Sequence, residues 1–145
     1  MLRIIAAVIV GYLVIAILIF ALFTVAYLVL GADRAFEPAT YDVSTTWIVV
    51  SIVLGFVAAF IGGVVCSIMA KGTRAPLILA GVVVVLGILV AIPVLTSTDT
   101  AAEVIRDGSV GNLEAMQNAK TPAWVALLNP LLGAVGVLAG ARFRK

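Results

Sequence analysis

The sequence predicts an all-α integral membrane protein, a four-helix bundle with both termini on the cytoplasmic side. Three observations carry that expectation. Four long apolar runs, 4–30, 47–70, 75–95 and 122–141, contain no charged residue, and each reaches the roughly 20 residues a helix needs to cross a bilayer core of about 30 Å. All seven carboxylates fall in two stretches between the runs, 33–42 and 99–114. Six of the nine cations, Arg3, Lys71, Arg74, Arg142, Arg144 and Lys145, flank the opposite ends. By the positive-inside bias, the termini and the 71–74 turn are expected in the cytoplasm and the loops 31–46 and 96–121 outside. With 64% apolar and 11% charged residues, the chain departs far from soluble proteins, in which about a quarter of residues are charged. Four spans joined by short loops leave no segment able to fold separately, so a single transmembrane domain is expected.

The first run follows Arg3 much as the core of a secretory signal follows its basic segment. It is far longer than the roughly 7–15 apolar residues of such a core, so a retained first helix is expected. Gly31 is its natural stop, and Pro38 breaks the loop that follows. That loop reads as a connection, ending in Ser44, Thr45 and Thr46 as candidate N-caps of the second span. Tyr27, Tyr41, Trp47 and Trp124 all fall near the expected outer interface, where an amphipathic ring is favoured.

The link Lys71-Gly72-Thr73-Arg74 is short enough to force the second and third spans into an antiparallel hairpin, and Pro76 fits the first turn of the third. Pro93 removes the usual partner of the Leu89 carbonyl and predicts a kink or fray. In the loop 96–121, Thr100 and Glu103 fit a capping box, so a two-turn helix ending at Gly108 is expected. A second short helix is expected after Asn112, with Leu113 and Met116 on one face. Both suit the membrane interface. Thr121-Pro122 is a cap and first-turn pair for the fourth span. Pro130, halfway along that span, is expected to face protein, because the carbonyl it frees needs a partner.

Small residues recur every fourth position in the second span, as Gly55-Ala59-Gly63-Ser67 and Ala58-Gly62-Cys66-Ala70, and Gly136 and Gly140 recur in the fourth. In lipid, small faces let backbones approach closely. Gly55, Ala59, Gly62, Gly63, Gly136 and Gly140 are therefore the helix-packing candidates, expected to act inside one bundle in preference to an oligomer interface. The polar intramembrane candidates are Ser51, Asn129 and Tyr12. An amide in hydrocarbon seeks a partner, so a structural contact is expected of Asn129, and the Tyr12 hydroxyl can lean back towards the cytoplasmic interface.

No histidine is present and Cys66 is the sole thiol. The commonest metal ligand and general base is thereby missing, as is any paired-cysteine chemistry. A proton-coupled exporter needs a carboxylate within the membrane, and no span holds one. The expectation is a non-enzymatic membrane protein without cofactor or metal, resident in the inner or plasma membrane. It would act through helix packing as an accessory or scaffold subunit or as a small homo-oligomer. Its expected contacts are membrane lipids and a membrane-protein partner or a second copy, and no nucleic acid. The alternative is a passive channel or facilitator for a small solute or lipid. Its uncharged pore or groove would be lined by Asn129, Ser51, Thr24 and carbonyls freed at Pro93 and Pro130.

Overall fold

A helix whose whole circumference is apolar has no polar face to turn to solvent, and its backbone satisfies itself internally. The computed structural model describes residues 2–70, 72, 74–96 and 110–143, and among these it contains helices and no strand. The helices are α1 (Leu2–Leu30), α2 (Ala32–Ala35), α3 (Thr45–Ala70), α4 (Arg74–Thr96), α5 (Asn112–Asn118) and α6 (Ala123–Arg142). Four of them, α1, α3, α4 and α6, are long and apolar enough to cross a membrane. α5 is the short helix expected after Asn112, whereas the one expected over 100–108 lies outside the described residues.

Arg3, Arg74 and Arg142 mark one end of the bundle, the basic end; the loops carrying α2 and α5 mark the other, the loop end. α1 and α4 run towards the loops, and α3 and α6 run back from them. The order around the bundle is α1, α3, α6, α4, with α1 and α4 also in contact. The short link makes α3 and α4 antiparallel, but each packs far more extensively on α6 than on the other.

The basic half is closed by glycines. A Cβ on Gly63 would run into the Val137 carbonyl, one on Gly140 into that of Phe60, and one on Gly62 into Ile15. Such contacts tolerate no side chain, so α3 lies directly against α6 on one face and α1 on the other. This explains why α3 carries two small faces: one serves each neighbour. Ala7, Cys66, Ala75 and Leu79 complete a fully buried cluster there. The Arg3 Nε donates to the Met69 carbonyl at 2.8 Å, tying the start of α1 to the last turn of α3.

At the loop end the 31–46 segment is more than the connection the sequence suggested. Gly31, at φ 74°, reverses the chain into α2. A tight turn through Pro38 and Ala39 then pairs Phe36 with Val43, and Asp42 pairs with Lys120. Ser44 is the N-cap of α3: its Oγ accepts the Trp47 N–H at 3.1 Å and donates to the Arg34 carbonyl.

Tyr27 and Tyr41 do not stand in a lipid-facing aromatic belt as their position implied. They are 6% and 4% exposed, because their hydroxyls are used inward. Tyr27 donates to the Val110 carbonyl and Tyr41 to Glu114 Oε1, each at 2.8 Å. Phe23, Tyr27, Phe36, Tyr41 and Trp47 form an edge-to-face chain with centroids 5.6 to 6.4 Å apart. Only Trp124, 58% exposed, projects outward as expected.

The helix does not fray at Pro93, and the start of the last span shifts at Pro122. α4 continues through Pro93 to Thr96, whose hydroxyl donates to the Ile92 carbonyl at 2.9 Å. Pro122 takes an extended ψ of 141°, so α6 begins one residue later and no side chain caps it. Thr121 thus stands one residue too far back to cap. Its place is at the rim of the cavity described next.

Candidate functional site

Above the glycine-closed half the four long helices separate around a cavity of about 410 Å³. Its walls run from Tyr12 to Phe23 on α1, Ser51 to Ala59 on α3, Val83 to Val94 on α4, and Ala126 to Gly133 on α6. Eleven residues at about 1.5 Å of rise make it roughly 16 Å long. This volume lies within the range of about 300–1,000 Å³ typical of ligand sites.

The void follows from the same residues that close the other half. Gly55 lies two helical steps above Gly63, yet a Cβ there meets nothing within 4 Å. Opposite it, Pro130 packs on Gly87 and holds α6 against α4. The buried proline is where an interrupted apolar helix needs protein around it. No helix fills the space between.

The floor is closed. Ile15 and Ala59 line the cavity and belong to the buried cluster of the basic half, where Gly11 meets Leu79 and Cys66. The chamber is therefore blind towards the basic end. Its side is open: Ser51 and Ala59 on the α3 wall are buried, whereas Ala16 on α1, Leu86 and Val90 on α4 and Asn129 on α6 are exposed. α1 and α4 pack far less extensively on one another than α1 does on α3 or α4 does on α6, so the opening is a slot between these two helices.

Polar groups are few. Ser51 and Asn129 each stand six residues into their parallel helices, roughly 9 Å from the start, and so share one level of the wall. Ser51 donates to the Ile48 carbonyl at 2.9 Å. The Asn129 side-chain amide makes no hydrogen bond to any described residue, so the structural contact expected of it is not made. Tyr12 lines the floor, where the sequence had pointed its hydroxyl towards the basic end.

The structure thus brings all three polar candidates to one cavity. Thr24 is not among its lining residues; it accepts the Asn112 amide at 3.2 Å as part of the loop-end cap. Of the small-residue candidates, Ala59, Gly62, Gly63, Gly136 and Gly140 serve helix contacts, and Gly55 serves the cavity. Sequence reasoning passed over Gly11 and Gly87, although Ala7-Gly11 and Gly87-Ala91 repeat the four-residue spacing of small residues that marked α3. Among the described residues no cluster of three metal-ligating side chains occurs. Family models, curated proteins and solved structures yield no match to this chain.

Proposed function

We propose that this chain is a non-enzymatic multi-pass membrane protein that holds a small apolar or amphipathic guest in its four-helix bundle. The single observation that carries the reading is the blind, side-opening cavity between α1, α3, α4 and α6. The charge asymmetry of the sequence favours placing the basic end in the cytoplasm and the cavity in the outer half of the inner or plasma membrane. A closed floor argues for a harbour or facilitator over a through-channel within one chain. The accessory or homo-oligomer reading drew its support from small-residue faces and from an outer loop able to touch a partner, and of these the small faces are consumed inside the bundle, at Gly62, Gly63, Gly136 and Gly140. The test is purification in mild detergent followed by mass spectrometry of what stays bound. A stoichiometric lipid or other apolar molecule, retained by the native chain and lost from Gly55→Leu, supports the proposal. A stoichiometric protein partner with no small guest supports the accessory role instead.

A further inference from the structure

Resting on that reading, we propose that the guest is an acyl chain with its carboxyl-derived carbonyl, entering sideways from the membrane through the slot between α1 and α4. Three features define this chemistry. The chamber is elongated, roughly 16 Å along the helix axes, and from Tyr12 to Phe23 its α1 wall offers only apolar side chains above the floor tyrosine. A linear hydrocarbon fills such a shape, whereas a compact solute leaves much of it empty; for comparison, a dry apolar cavity of about 150 Å³ suffices for benzene.

The entrance faces the side of the bundle, where lining residues Ala16, Leu86 and Val90 remain exposed. At the loop end the Tyr27 and Tyr41 hydrogen bonds to Val110 and Glu114 tie α1 and the 31–46 segment to α5 and the residues just before it. Supply from the bilayer is therefore more direct than supply from water.

The third feature is the Asn129 amide. It lines the cavity at the level of Ser51 and lacks any hydrogen bond to the described residues. An amide in an apolar setting is costly without a partner, and its NH2 group can donate to a carbonyl oxygen. Ser51 has already given its own proton to Ile48, which leaves Asn129 as the donor at that level. A chain anchored there extends towards Ile15 and Tyr12, with any headgroup directed past Thr121. A phospholipid ester and a free fatty acid share this chemistry.

The full chain is reconstituted in vesicles of dioleoylphosphatidylcholine containing a trace of phosphatidylcholine with a photoreactive diazirine in one acyl chain. A parallel sample carries a diazirine fatty acid. Adducts are mapped by mass spectrometry. Enrichment at Ala16, Ile19 and Val90 over lipid-facing Leu89 is expected with one probe or both, and that comparison identifies the source. Gly55→Phe should remove the enrichment while leaving labelling at Leu89 unchanged. Asn129→Leu should weaken it roughly three- to thirtyfold, the range of one interhelical-type hydrogen bond in lipid. Equal labelling of cavity and lipid-facing positions by both probes, or enrichment untouched by Gly55→Phe in a variant of native thermal stability, overturns the acyl-chain assignment. Xenon is the separate probe of the cavity itself. If its binding is displaced by Gly55→Phe while the acyl probes fail, only the ligand class falls; if xenon also fails to bind, the guest-binding reading falls with it.

Discussion

The basic half and the loop half of this bundle are built from the same four apolar helices, yet one is sealed and the other hollow. In the basic half, glycines on α3 and α6 meet backbone on the facing helix: Gly63 at Val137, Gly140 at Phe60. In the loop half, Gly55 on the same α3 meets nothing, and closure comes from aromatic and hydrogen-bonded loops laid over the end. A small residue in an apolar helix is therefore an invitation to close approach only where the partner supplies matching backbone. Elsewhere it is a space.

The largest contrast expected is between the two ends themselves. In a Cys66→Ala background, a cysteine at Gly111 should react fully with a membrane-impermeant thiol reagent on intact cells, and one at Gly72 should not. The reverse pattern would invert the proposed orientation and move the cavity to the cytoplasmic half.

Next in size is the difference between sealed and hollow glycines. Gly140→Leu or Gly63→Leu forces backbones apart and should cost about 3 kcal/mol, the upper part of the usual overpacking range. Thermal unfolding in detergent reads this directly, with the half-exposed Val57→Leu as the unaffected control. Gly55→Leu should have the opposite sign, gaining about 1 kcal/mol as a cavity-filling change. Comparable losses at Gly55 and Gly63 would mean that the two halves are packed alike.

The smallest effect belongs to the cap. Tyr41→Phe deletes the hydrogen bond to Glu114, worth about 1 kcal/mol. Amide exchange in 112–118 should quicken roughly fivefold, while exchange around Ala59 to Cys66 stays as it was. A matching acceleration in the basic half would show that the cap and the sealed core unfold as one unit.

Much of the architecture was legible beforehand. The uncharged runs marked the four long helices, Ser44 was foreseen as a cap, and α5 was foreseen after Asn112. The tyrosines were misjudged because a ring near a helix end suits a lipid interface and a folded loop equally well. Only the partner decides, and Val110 and Glu114 are far along the chain. Thr121 was misjudged because whether Pro122 stands inside or just outside the helix depends on its ψ, which neighbouring contacts set.

By itself the sequence determined the number, length and direction of the long helices and the unequal charge of the two ends, since apolar run length and the placement of cations and carboxylates are local properties. It also named the small residues and the three polar ones. Which of these would close a contact and which would open a cavity was decided only in three dimensions. Helices apolar on every side have no polar face to say which small face meets which neighbour, so α3 finds α1 and α6 by the fit of close-packed backbones. The space left between Gly55, Ala16, Val90 and Asn129 follows from that fit.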